Sequence, residues 1–205
     1  GRVSEENTSR YFNIIKRNAN KLLALINELL AFREIQFATL KTSKVRVYDV
    51  ISKVLSRYDW LFEDKGLTVS VDVPEDISVD ADPHKLEKVF DNLLSNAYKH
   101  TSKGDSVTLS AVRHPDYISL VVEDTGCGIP EEELPYIFER FFSGRSYDMY
   151  SSGVGLSYVK SLVEQHGGTI SASSELGKYT RIEMHMPHTV KNMETDEVKN
   201  EEYKK

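Results

Sequence analysis

With a single cysteine, Cys127, the chain cannot form an internal disulfide, and it fits a reducing compartment. No apolar run approaches the roughly 20 residues of a membrane-spanning helix, and no leader with a basic start and an apolar middle opens the sequence. Positive charge is short as well. The 26 Lys and Arg against 32 Asp and Glu give a formal net charge of −6, and no basic stripe with interleaved aromatics is present. Nucleic acid is therefore not an expected partner. No internal repeat is visible either. What remains is a chain of 205 residues, 40% apolar, enough for the core of one or two domains.

The rest of the chain is organised around the stretch from Leu86 to Thr101, LEKVFDNLLSNAYKHT. Leu86, Val89, Phe90, Leu93, Leu94 and Ala97 recur at three- and four-residue steps, which predicts an amphipathic helix with one buried face. Asp82 and Pro83 supply its start, a capping carboxylate followed by proline at the first helical position. Asn92 and Asn96 stand one turn apart on one side, with Lys99 and His100 in the last turn. Asparagine is a mediocre helix former. The pair reads either as part of a solvated face or as a site, and this helix alone does not decide.

Two further elements lie downstream. Val121 to Pro130 (VVEDTGCGIP) is a β-run that breaks into an acidic, glycine-punctuated turn, and Ser152-Gly153-Val154-Gly155-Leu156 opens another amphipathic helix. A lone glycine pair is a weak signal; N-x3-N-x2-K-H, D-x-G-x-G and G-x-G-L in this order are far more specific. Together they resemble the N, G1 and G2 boxes of the Bergerat-type ATP-binding fold, in the version found in sensor histidine kinases. Ile137 to Phe142 (IFERFF) resembles the F box of the same family. The resemblance covers about residues 44 to 187, with the second helix of the kinase dimerisation hairpin ahead of it.

That resemblance implies ATP and Mg²⁺ as cofactors and assigns roles. Asp124 would accept the exocyclic amine of adenine, rejecting bases that leave a buried acceptor unpaired; an Asx turn would also account for Asp-Thr-Gly. Gly126 and Gly128 would let backbone lie close to the base, with Ile129 and Phe138 completing the pocket. Cys127 between them is loop filler, with no His, Lys or second Cys nearby in sequence to activate it. Asn96 would bind Mg²⁺, a hard cation that keeps waters and phosphate oxygens as its other ligands. Lys99 would meet a phosphate as a point charge, and the ring of His100 would stack on base or ribose. As a metal ligand His100 lacks a second histidine at suitable spacing. Gly153, Val154, Gly155 and Leu156 would bring the triphosphate to a helix N-terminus, although a helix-start glycine needs no ligand. Thr180 would reach the adenine-side polar network. The implied catalytic set is Asn92, Asn96 and Lys99.

Two positions depart from the family pattern: Ser151 stands where the G2 box often begins with glycine, and Tyr179 replaces a glycine in Gly177-Lys178-Tyr179-Thr180. A third position bears on mechanism. Bergerat-fold ATPases usually carry a glutamate base four residues before the Mg-binding asparagine, and here that position is Asn92, which cannot accept a proton at neutral pH. Asp91 is about 100° round the helix, and Glu87 is more than a turn away. Slow hydrolysis is expected.

In chain order, a long helix is predicted from about Glu5 to Thr39, with Tyr11, Ile15, Leu22, Leu25, Leu29 and Phe32 on a coiled-coil-like stripe and Asn18 its polar member. Either it pairs with a partner helix or it packs on the globular domain. The hairpin's first helix, which carries the phosphoacceptor histidine in this family, has no counterpart among His84, His100, His114, His166, His185 and His188. A strand is predicted over 44–48, a helix over 49–64 capped by Asp49 and stopped by Gly66, and strands over 67–73 and 77–79. Strands over 106–113 and 117–123 form a hairpin through His114-Pro115-Asp116, a helix spans 154–165, and strands over 169–174 and 180–186 close the sheet. Residues 143–152 read as a mobile lid flanked by Arg140 and Arg145, and the polar stretch beyond Pro187 as a tail or linker. The domains are thus 1–42 (hairpin helix), 43–188 (ATP-binding domain) and 189–205 (tail).

The expected fold is α+β, a two-layer α/β sandwich with a mixed sheet under three helices. The expected function is transfer of the γ-phosphoryl group of Mg-ATP to a histidine on a separate helix. A Bergerat-fold ATPase and a non-catalytic, nucleotide-dependent interaction module are the alternatives. The resemblance further implies a homodimer in the full-length protein, a downstream response-regulator receiver domain, and the cytoplasmic portion of a membrane-anchored sensor. The chain begins mid-theme, as expected of a piece of something longer.

Overall fold

The computed structural model describes residues 39–140, 142 and 155–187, together with residues 11, 12, 14, 15, 18 and 19. These six N-terminal positions are helical, and Tyr11, Phe12, Ile14 and Ile15 among them are exposed; the rest of the helix predicted up to Thr39 lies outside the described residues. So do the lid, Arg145, and the tail.

The described elements run β1 Ser43–Arg46, α1 Val47–Leu55, α2 Asp59–Lys65, β2 Thr68–Asp72, β3 Ser78–Ala81, α3 Pro83–His100, β4 Ser106–Arg113 and β5 Tyr117–Asp124. A single 3-10 turn at Leu134–Tyr136, α4 Gly155–Gln165, β6 Thr169–Glu175 and β7 Tyr179–Pro187 follow. Five strands form one sheet in the order β2-β4-β5-β7-β6, and β1 with β3 makes a separate two-stranded ribbon. Within the large sheet only β2 and β4 are parallel, so it is mixed, as predicted.

Strand periodicity decides which face is which. Val107, Leu109 and Ala111 of β4, Ile118, Leu120 and Val122 of β5, and Ile182, Met184 and Met186 of β7 share one core with Phe90, Leu94, Val159 and Leu162 from the helices. The alternate positions, such as Thr108, Ser119, Glu123, Arg181 and His185, make the polar outer face. There Arg181 pairs with Glu123 and Glu183, and the Ser119 hydroxyl donates to Glu183. The result is a two-layer sandwich.

Helix α3 is built as its sequence predicts. The Asp82 carboxylate accepts the N–H groups of His84 and Lys85 at 3.1 and 3.2 Å, Pro83 occupies the first turn, and the six apolar residues of the stripe are buried. Upstream the boundaries move. Val47 and Tyr48 are helical rather than strand, because Val47 is wholly buried as part of the helix face. Asp49 therefore does not cap: Arg46 holds that position, and Asp49 sits in the first turn, paired with Arg46 at 2.7 Å. The helix predicted over 49–64 is two helices. Ser56 donates its hydroxyl to the Lys53 carbonyl, the N–H groups of Arg57 and Tyr58 bond three residues back, and the chain turns there. Gly66, at φ 73°, ends the second as predicted.

His166 closes α4 and ties it to the start of α3. Its Nε2 accepts the backbone N–H of Asp82 at 3.0 Å, so Nδ1 carries the proton and donates to the Leu162 carbonyl at 2.7 Å. The ring is buried, and burial pushes its pKa below the ordinary 6.5. A folded-state pKa below the unfolded one means that this stabilisation is complete above about pH 6.5 and fades as pH falls through the folded value. His166→Ala should cost about 2–4 kcal/mol near pH 7.5. Urea denaturation should also show a smaller loss on going to about pH 5.5 in the variant than in the wild type; equal losses would contradict this role.

Candidate functional site

Three neighbouring strands carry apolar residues along their inner faces and turn polar at the same rim. The row Ile118-Leu120-Val122 of β5 ends in Asp124; the row of β7 begins with Thr180, directly opposite Asp124; and Ile170-Ala172 of β6 ends in Ser174, opposite Thr180. Asp124 is only 7% exposed, accepts the Gly126 N–H at 3.0 Å, and has its carboxyl pushed up to about 6 by burial and by the charges of Asp105 and Glu123.

The loop after Asp124 is gripped from both sides. On one side the Cys127 N–H donates to the carbonyl of His100, the last residue of α3, and a Cβ on Gly126 would lie 2.2 Å from that same oxygen. On the other side the Gly177 N–H donates to the Cys127 carbonyl at 2.7 Å. Gly128, at φ 66°, packs so tightly on the Glu175 carbonyl that a Cβ would come within 2.2 Å. The Ser174 hydroxyl finishes the clamp: it accepts the Ile129 N–H at 2.7 Å, donates to the Tyr179 carbonyl at 2.6 Å, and lies 3.5 Å from the Thr180 hydroxyl. The Cys127 thiol is pushed up by partial burial and by Asp124, which suits a filler rather than a nucleophile.

The second half of the site is the meeting of α3 with the start of α4. A Cβ on Gly155 would lie 3.1 Å from Asn92 Oδ1 and 3.9 Å from both carboxamide atoms of Asn96. Asn92 Nδ2 donates to the Lys88 carbonyl, which turns its oxygen toward Gly155. Lys99, on the same side of α3 two turns on, is exposed. The start of α4 and two neutral carboxamides thus meet at one point. Carboxylates face elsewhere. Glu87 pairs with Lys53 and Arg57, which hold it below its ordinary range, and Asp91 pairs with Arg57 and takes the Tyr58 hydroxyl, itself pushed up to about 12. Among the described residues no group of three His, Cys, Asp or Glu side chains could hold a metal by itself.

This geometry of a buried rim acceptor, a clamped glycine loop and paired asparagines at a helix start agrees with the comparisons. Residues 81–190 match the family described as histidine kinase-, DNA gyrase B- and HSP90-like ATPase. The chain belongs to that family. The sensor histidine kinase YclK of Bacillus subtilis is 30% identical over 195 residues, covering 92% of this chain and 41% of that protein, so the chain spans less than half of this relative. The mycobacterial sensor histidine kinase MprB is 30% identical, with a TM-score of 0.66 over 73% of this chain and all of that structure. Histidine kinase ThkA, solved in complex with response regulator protein TrrA, superposes with a TM-score of 0.71 over 92% of this chain and 53% of that one. At 22% identity it shows the shared fold. Within the family, the chain carries the ATP-binding catalytic domain of a histidine kinase.

The structure therefore brings together Asn92, Asn96 and Gly155 at one end, and Asp124, Gly126, Gly128, Ile129 and Thr180 at the other, joined through the His100 carbonyl. Phe138, Ile129 and Leu156 are half-buried against the core. Gly153 and Val154 fall outside the described residues. Ser174 was not foreseen. Its signal was present as a polar residue at an inward-facing position of a strand, one serine among several in β6. The buried rim carboxylate also carries a stability cost. A folded pKa of about 6 against an ordinary 3.8 means stability is lost as pH rises through about 6. Asp124→Asn should stabilise the ligand-free domain by ~1–3 kcal/mol at neutral pH, with the gain shrinking toward about pH 4. Denaturation at both pH values checks this, and destabilisation at neutral pH would contradict it.

Proposed function

We propose that the domain binds Mg-ATP and transfers its γ-phosphoryl group to a histidine on a separate helix. The observation that carries this is the approach of Gly155 to both Asn92 and Asn96, which sets a helix N-terminus beside two oxygen donors. Phosphate oxygens suit the positive end of a helix such as the start of α4. The Asn96 carboxamide oxygen, with phosphate oxygens and waters, suits Mg²⁺, which seldom needs a full protein cage. Mg²⁺ would neutralise charge on the phosphates, and Lys99 would add a point charge beside them. At the other end Asp124, with Thr180 opposite, accepts the adenine amine, and the loop at 126–129 lies against the base with Phe138 and Leu156 as apolar walls. The family resemblance would add Gly153 and Val154, which lie outside the described residues, to the phosphate contacts, and the His100 ring stacks on base or ribose.

Among the described residues of α3 no carboxylate stands in the place of a general base, which favours a kinase over a hydrolysing relative. Asn92 cannot take a proton, and Glu87 and Asp91 are committed to Lys53, Arg57 and Tyr58. Homodimerisation, a response-regulator receiver domain as the downstream partner, as in the solved complex of ThkA with TrrA, and membrane anchoring of a cytoplasmic domain belong to the same proposal. No helix among the described residues is long and apolar enough to cross a membrane.

Incubated with labelled Mg-ATP, the chain alone should turn over far more slowly than about 1 s⁻¹. Supplied with a helix bearing the acceptor histidine, it should yield acid-labile phosphohistidine. Brisk hydrolysis without an acceptor would favour the ATPase reading, and binding without either reaction would favour an interaction module.

A further inference from the structure

The inner row of β6 runs Ile170, Ala172, Ser174, and the hydroxyl that ends it meets groups from two other segments. It accepts the Ile129 N–H at 2.7 Å, donates to the Tyr179 carbonyl at 2.6 Å, and stands 3.5 Å from the Thr180 hydroxyl. A serine oxygen has one proton and two lone pairs. The proton is spent on Tyr179 and one lone pair on Ile129, so a lone pair is all that Ser174 has left for Thr180. In that contact Thr180 is the donor. Having given up its only proton, the Thr180 hydroxyl keeps lone pairs alone for any other neighbour. Thr180 stands between Ser174 on one strand and Asp124 on the other. The rim therefore sets a carboxylate opposite a hydroxyl that can only accept.

We propose that Ser174 sets base specificity by fixing the direction of the Thr180 hydroxyl proton, so that the rim offers acceptors and no donor. This rests on the adenine reading of the rim and names what enforces it. An exocyclic amine brings two N–H donors, one for Asp124 and one for Thr180. A carbonyl in the same place meets two acceptors, and its own oxygen is buried without a partner. A hydroxyl free to rotate would weaken that discrimination, since it donates to a carbonyl as readily as it accepts from an amine. Ser174 acts through Thr180 and is a positioning residue.

The test compares ATP with inosine triphosphate, in which a carbonyl replaces the adenine amine. Calorimetry of the full chain with Mg²⁺ is run at about pH 7.5, where Asp124, with a pKa of about 6, is ionised. The wild type should prefer ATP. In Ser174→Ala the ratio of the two affinities should fall about tenfold, chiefly through tighter binding of the inosine nucleotide. Ser174→Thr keeps a hydroxyl and should hold the ratio within about twofold of the wild type. Ser174→Cys, close in shape but a weak donor and acceptor, should move the ratio in the same direction as alanine, and it replaces the alanine variant if that one does not fold. With Thr180→Val already in place, Ser174→Ala should change the ratio by no more than about twofold, since no hydroxyl remains to be oriented. A ratio unmoved by Ser174→Ala while both nucleotides weaken together is what a purely structural serine would give, and it would overturn the proposal. So would a ratio that shifts equally with and without the Thr180 hydroxyl. A wild-type chain that binds the two nucleotides equally would overturn the adenine reading and the proposal with it, an outcome distinct from failure at Ser174 alone.

Discussion

The site depends on one carboxylate that the fold keeps out of water. Asp124 closes an otherwise apolar inner row, and its burial raises its pKa to about 6, a state that costs on the order of 3 kcal/mol at neutral pH. Nothing in packing the core calls for it, since Val122 already completes the buried row. The surroundings are arranged to hold it there: Gly126 gives it one N–H, Thr180 lies opposite, and the loop beyond is fastened to α3 and to the β6–β7 turn. The proposed role gives that cost a reason, because an acceptor desolvated in advance rewards a ligand that brings the right donor.

Helix α3 separates the work of packing from that of the site. Its apolar stripe is buried on the sheet and Asp82 fixes its start, so its register is set without help from any ligand. On its flanks the polar residues divide. Glu87 and Asp91 turn toward Lys53, Arg57 and Tyr58, a network that ties α3 to α1 and the turn after it. Asn92 and Asn96 turn toward Gly155. The neutral pair faces Gly155, the proposed phosphate end, and the charged pair is kept away, a division that would avoid like-charge repulsion with a bound nucleotide.

Much of this was legible in the sequence, for physical reasons that differ by residue. The spacing of Leu86, Val89, Phe90, Leu93, Leu94 and Ala97 fixed α3, because one-sided burial leaves a periodic trace, and Asp82-Pro83 marked its start. The break at Ser56 was not legible, since apolar residues continue in phase through Leu61 and Phe62 and a local hydroxyl bond decided the turn. Asp49 resembles a cap only because residues 44–48 alternate as a strand would, whereas Val47 and Tyr48 already belong to the helix. In the site, D-x-G-x-G showed itself through its glycines, which need close backbone approach. Ser174 did not, because its hydrogen bond is to a residue brought near by the fold: Ile129 is 45 positions away.

The central claim is that one nucleotide spans the rim from Asp124 to Gly155. Amide-resolved titration of the chain with Mg²⁺ and a non-hydrolysable ATP analogue tests it most directly. The account predicts shifts concentrated at the side-chain amides of Asn92 and Asn96, at the backbone from Asp124 to Ile129, at Gly155, and from Ser174 to Thr180, with β2 and the outer face around Ser119 and Glu183 little changed. Saturable shifts centred on that outer face, or at only one end of the rim, would contradict it.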